Sequence, residues 1–209
     1  MPTDTIFDQS ERLASELVSV LSVPGYDSSP RNQISYLASS LSLEHWHATR
    51  ALLREGLLPS GLVVLRAQYE ALVRAVWALY AATESHIDKL ATSLTTDSEQ
   101  AAKNLPQIAD MLGALSTKAP PQPIQALTQF KNTSWKALNS YAHAGIHPLH
   151  RHEQGYPIPL VEQVTRNSNG LAVVAGMQAA VLSGSQALVL EVGTLQHKHA
   201  SCLPPRNDV

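Results

Sequence analysis

The stretch LVVLRAQYEALVRAVWALY, residues 62–80, decides the fold class. At about 100° per residue, Leu65, Tyr69, Leu72, Val76 and Leu79 fall on one large apolar stripe. Ala67, Ala71, Ala75 and Ala78 make a second stripe of small side chains, which lets a neighbouring helix come close. Arg66, Glu70 and Arg74 share the remaining side with Val63, Val73 and Trp77, so no broad solvated face is left. A helix of this make-up belongs at the centre of a bundle, with its charges at least partly buried.

The chain on either side reads as further helices, with no run of period two long enough for a strand. Helices are expected over 4–22, from Pro30 to about Glu55, over 60–83, 85–94 and 97–115, over 122–144, and from near Leu160 to 190. Ser29 before Pro30 is a good start signal, Pro106 kinks or interrupts the fifth helix, and APPQP is a stiff connector. Ala144-Gly145 ends the sixth helix, where glycine suits a left-handed cap. The stretch IHPLHRHEQGYPIP reads as an irregular loop and LPPRNDV as a disordered end. The pattern predicts an all-α, single-domain bundle of about six to seven helices over residues 1–199, with a flexible tail over 200–209.

Composition supports one buried core. A chain of 209 residues is short for two domains. Its 15% charged residues lie well below the roughly 25% of an average soluble domain. The net charge of −2 gives no basic surface of the kind that signals nucleic-acid binding on its own. The single cysteine, Cys202, rules out a disulfide within the chain and fits a cytoplasmic protein. The N-terminus lacks the basic-then-apolar layout of a signal peptide. Residues 171–190 carry no charge, but Gln178, Ser183, Ser185 and Gln186 make a buried helix the better reading than a membrane span. Gly176, Ala180 and Gly184, four apart, are expected to pack closely on the alanine stripe or on a second copy of the chain.

Several polar residues are candidates for chemistry. Arg66 and Glu70, one turn apart, can form a buried pair that holds a guanidinium fork toward an anionic ligand. Arg74 lies one turn further on. In the second helix Ile34, Leu37, Leu41, Ala48 and Leu52 read as the core stripe, with His45 upon it. In the helix over 122–144, Ile124, Leu127, Phe130, Trp135, Leu138 and Tyr141 make the apolar face, and Asn132, Lys136, Asn139 and His143 line the other. His143, His147, His150 and His152 cluster at its end, where Gly145 and Pro148 break the spacing a metal pair needs, so no metal site is expected. The Glu44–His47 pair has no second copy and excludes a di-iron bundle.

Three segments together, LEHWHATRALLREGLLPSG, LVVLRAQYEALVRAVWALY and SWKALNSYAHAGIHPL, resemble bacterial all-helical families related to the HEPN superfamily and to AbiV-like abortive-infection proteins. The likeness covers roughly residues 35–190. It implies a compact HEPN-like bundle, often a homodimer, in a defence or toxin–antitoxin setting, acting as a metal-independent ribonuclease without a cofactor. HEPN ribonucleases carry Arg-(polar)-x-x-x-His on one helix. Asn139 and His143 match its last two elements, and Leu138 stands where the arginine belongs. The resemblance thus implies a catalytic role for His143 and Asn139; Arg66 or Lys136, neither a motif match, is expected to supply the cation, with Glu70, His45, Arg74 and His147 as supporting or binding residues. The alternative expectation is a non-catalytic module that binds a small anion, a nucleotide or a partner protein.

Overall fold

The computed structural model describes residues 5–22 and 25–205. Among them lie ten α-helices and no strand: α1 (Ile6–Val20), α2 (Pro30–Arg54), α3 (Leu58–Tyr80), α4 (Glu84–Ala91), α5 (Thr96–Ala102), α6 (Ile108–Leu115), α7 (Pro121–Ala142), α8 (Ile146–Gln154), α9 (Ile158–Leu182) and α10 (Gln186–Lys198). A 3-10 turn at Ala200–Cys202 follows. The all-helical class is as expected, but six to seven helices was too few. Three local causes account for the difference. Pro106 divides 97–115 into α5 and α6 rather than kinking one helix. Gly184, at φ +70°, ends α9 and separates it from α10. The histidine-rich stretch read as a loop is largely α8, which runs until Gly155 at φ +80°.

α3 lies at the centre, packed by α2, α6, α7 and α9. Leu65, Tyr69, Leu72 and Val76 are buried as the stripe predicts. The alanine stripe meets α2, and here the reading of α2 is overturned. Its inward face is Ser35, Ser39, Ser42, Trp46, Thr49 and Leu53, while Leu37 and Leu41 are 61% and 45% exposed. His45 goes with them to a half-buried position outside the core. Close packing is the reason. Serine adds little bulk, so the two backbones approach, and each hydroxyl is satisfied by a helix carbonyl. Ser35 Oγ donates to the Ala75 carbonyl at 2.8 Å and Ser42 Oγ to that of Gln68 at 3.0 Å. At the same seam a Cβ on Gly61 would stand 3.1 Å from Leu53.

α9 joins this seam through polar contacts. Gln178 Nε2 donates to Ser35 Oγ at 3.0 Å. Gln68 Nε2 donates to the Ser168 carbonyl at 2.8 Å, and Ser168 Oγ donates back to Gln68 Oε1 at 2.7 Å. Asn169 accepts from Ser10 Oγ and Trp46 Nε1 and donates to the Cys202 carbonyl, tying α1, α2 and the C-terminal turn together. The small face of α9 meets α1, not the alanine stripe of α3. A Cβ on Gly176 would fall 2.8 Å from Leu17 Cδ1, and Ala180 sits in the cluster built on Leu13 and Leu17. The segment read as a tail from 200 is packed as far as it is described: Cys202 and Leu203 are buried, and Pro204 covers Gly170. Residues 206–209 lie outside the described residues. No helix among the described residues is long and apolar enough to cross a membrane.

Candidate functional site

The charges of α3 come to the surface beside α7. Arg66, Glu70 and Arg74 occupy successive turns on one side of α3. Arg66 Nε donates to Glu70 Oε1 at 2.9 Å. The guanidinium carbon of Arg66 lies 5.0 Å from the centroid of the Trp135 ring, a cation–π contact. The two side chains are 23% and 38% exposed, so the pair is partly buried and stands at the rim of a cavity. Behind it the wall is stiff. Trp135 tilts against Tyr69 at 5.8 Å, and Tyr69 stacks on Phe130 at 4.7 Å. Tyr69 also donates its hydroxyl to the Leu127 carbonyl at 2.9 Å, and burial pushes its pKa far above the usual phenol value.

A second wall comes from the link between α5 and α6. Ala102, Lys103, Leu105, Pro106, Gln107, Ile108 and Ala109 face the α3 charges across a cavity of ≈ 530 Å³, and Lys131 of α7 completes the rim. Lys103 Nζ donates to Gln100 Oε1 at 2.7 Å within its own segment. Gln107 caps α6, and its backbone N–H donates to Asp110 Oδ2 at 3.3 Å. The next two N–H groups, of Ile108 and Ala109, have no acceptor inside the helix and give this end a partial positive charge. Four cations therefore share the cavity with one carboxylate. Arg74 and Lys131 have no carboxylate partner among the described residues, and the terminal nitrogens of Arg66 make no hydrogen bond there.

A family profile matches residues 39–205, from within α2 to just past the C-terminal turn. The chain belongs to DUF6988, a family of unknown function. All the cavity walls lie inside the match, while α1 and the start of α2 precede it. No curated protein and no solved structure matches the chain. Membership of DUF6988 carries no link to the HEPN or AbiV proteins that the motifs resemble.

Other residues singled out from the sequence lie elsewhere in this DUF6988 fold. Lys136, Asn139 and His143 do not line the cavity. Lys136 is exposed, and His143 is the exposed C-cap of α7, its N–H donating to the Asn139 carbonyl at 3.2 Å. Asn139 is half-buried, and its Oδ1 is buried without a hydrogen-bond partner among the described residues. His147 is exposed; its backbone N–H donates to Ser140 Oγ at 3.1 Å and its ring lies 6.4 Å from Tyr141. The turn between α7 and α8 uses its glycine differently from the expected cap. The left-handed residue is Ala144, at φ +49°, while a Cβ on Gly145 would lie 2.7 Å from Ser140 Oγ. Close approach, not backbone handedness, calls for glycine at 145. Among the described residues no three histidine, cysteine or acidic side chains are placed to hold a metal.

Sequence reading brought Arg66, Glu70 and Arg74 to one site but missed Lys103, Lys131 and Gln107. Lys103 and Gln107 sit in short connecting elements whose direction no periodicity reveals. Lys131 left one usable trace: it stands one turn before Trp135, on the same side of α7.

Proposed function

We propose that the protein is a binding module for a phosphate-bearing ligand, held in the cavity between α3, α7 and the α5–α6 link. The observation that carries this is the charge imbalance: Arg66, Arg74, Lys103 and Lys131 face Glu70 alone. Glu70 takes the Nε side of Arg66, and Trp135 fixes the plane of the guanidinium. The two terminal nitrogens, without a hydrogen bond among the described residues, remain as a fork suited to two oxygens of one phosphoryl group. A basic cavity on a chain of net charge −2 also draws anions to one place rather than over the whole surface. Nothing in this arrangement needs a proton donor or a nucleophile, and the cavity has neither a histidine nor a cysteine.

The test is isothermal titration calorimetry with inorganic pyrophosphate, at two salt concentrations. Wild type should bind, with affinity that falls as salt rises. Arg66→Ala and Lys131→Ala should each weaken binding at least tenfold while the far-ultraviolet circular dichroism stays unchanged. Equal affinity in wild type and both variants overturns the proposal.

A ribonuclease reading draws on a separate part of α7. His143 is open to solvent and follows Asn139, whose buried Oδ1 lacks a partner. His143 lies two turns beyond Trp135, about 12 Å along the axis. A phosphate held by Arg66 would therefore not sit at the imidazole, and only an RNA strand running along α7 could meet both. Incubation of wild type and His143→Ala with total RNA decides it: cleavage lost in the variant supports ribonuclease action, and no cleavage by wild type removes it.

A further inference from the structure

We infer that the ligand of the basic cavity is an organic diphosphate, two linked phosphoryl groups on an apolar or planar body. The inference rests on the anion-binding reading above and narrows it to a class. Charge supplies the first argument. Four cations against one carboxylate leave an excess of three positive charges. A phosphate monoester carries about two negative charges near neutral pH, and a second phosphoryl group adds roughly one more. A diphosphate matches the excess, and a monophosphate leaves a cation without a partner.

Reach supplies the second. Arg66 and Arg74 are two turns apart on one side of α3, about 12 Å along the axis, with Glu70 between them. One phosphoryl group held on the Arg66 fork does not extend to Arg74. A second group linked to it lengthens the anion by a few ångströms toward the Arg74 side, within the sweep of a long arginine side chain.

The third argument is the rest of the lining. Ala102, Leu105, Pro106, Ile108 and Ala109 form an apolar wall opposite the arginines. Inorganic pyrophosphate would leave that wall against water. A body attached to the diphosphate covers it and gains hydrophobic free energy in proportion to the area hidden. The cavity, at ≈ 530 Å³, lies within the range of small-molecule sites, about 300–1,000 Å³.

Calorimetry with four probes tests the inference: ADP, isopentenyl diphosphate, AMP and inorganic pyrophosphate. At least one of the two organic diphosphates should bind tenfold or more tightly than both AMP and pyrophosphate. Whichever of the two is tighter identifies the body as planar or aliphatic. Arg74→Ala should weaken ADP at least tenfold more than it weakens AMP. If AMP or pyrophosphate binds as tightly as the tighter of the two organic diphosphates, the class is wrong although the anion site stands. If none of the four binds, the anion site falls and the inference with it.

Discussion

Asn169→Leu changes a fully buried side chain into an apolar one of similar size, so its cost comes from the partners left behind. Ser10 Oγ donates to Asn169 Oδ1 at 2.8 Å, Trp46 Nε1 donates to the same oxygen at 2.9 Å, and Asn169 Nδ2 donates to the Cys202 carbonyl at 2.9 Å. The serine can turn its hydroxyl to a carbonyl of its own helix and forfeits only the net value of a hydrogen bond, about 1 kcal/mol. The indole N–H and the Cys202 carbonyl have no such freedom, and each buried unsatisfied group costs about 1–3 kcal/mol. Allowing for some relaxation, the loss comes to about 3–5 kcal/mol, against a total stability of about 5–15 kcal/mol. For a chain of this size it corresponds to a fall in Tm of roughly 6–20 °C. Urea unfolding followed by circular dichroism and tryptophan fluorescence measures it. Trp46→Phe, which removes the N–H, should cost about 1 kcal/mol less in the Asn169→Leu background than in wild type. A single variant within 1 kcal/mol of wild type, or strictly additive effects in the pair, would refute the reasoning.

Glu70→Ala should change stability by no more than about 1 kcal/mol, because the Arg66–Glu70 pair is partly open to solvent, and a loss of 3 kcal/mol in chemical denaturation would mean a buried pair after all. Gly176→Leu should cost at least about 1–3 kcal/mol, since even a Cβ there meets Leu17 Cδ1 at 2.8 Å, Cδ2 at 3.4 Å and Cγ at 3.5 Å; an unchanged Tm would show that α1 can move aside. Gly145→Ala should destabilise by roughly 1–2 kcal/mol, and Ser140→Ala should recover part of that by removing the hydroxyl 2.7 Å from the new Cβ; no recovery in the double variant would place the strain elsewhere. Glu16 has its pKa lowered, chiefly by the hydrogen bond from Lys198, with His199 Nε2 at 3.4 Å also lowering it. A lowered folded-state value contributes stability above the ordinary carboxylate pKa and loses it as the pH falls through the lowered one. Lys198→Ala should therefore raise the Glu16 pKa in a carbon-detected NMR titration and flatten the acid limb of the stability profile.

The legible parts of the fold were those in which burial follows apolarity. α3 repeats Leu, Tyr, Leu and Val at helical spacing, and α7 does the same with Leu127, Phe130, Leu138 and Tyr141, all four of which are buried. α2 broke that rule. Its interior contact with α3 and α9 runs through Ser35, Ser39 and Ser42, because the tightest helix pair rewards small volume over hydrophobicity. An apolar stripe read along such a helix points outward, to the exposed Leu37 and Leu41. For the candidate site, Arg66, Glu70 and Arg74 were legible because one helix carries all three at four-residue steps. Lys103, Lys131 and Trp135 reach the same cavity from elements 30 to 70 residues further along. Only the packing of α6 and α7 on α3 brings them there, and no local pattern encodes that packing.

The two apolar clusters of the bundle divide the chain unequally, and this sets an order of assembly. All buried members of the larger cluster lie between Leu53 and Ala175. The smaller one joins Leu13, Leu17 and Trp46 to Val192, Leu195, Cys202 and Leu203, from opposite ends of the chain. At about 5–20 residues per second during synthesis, α1 waits roughly 10–40 s between its own emergence and that of Leu203. Over that interval the larger cluster can close while Leu13 and Leu17 remain uncovered. α1 therefore emerges well before α10 and the C-terminal turn that help to cover its apolar stripe.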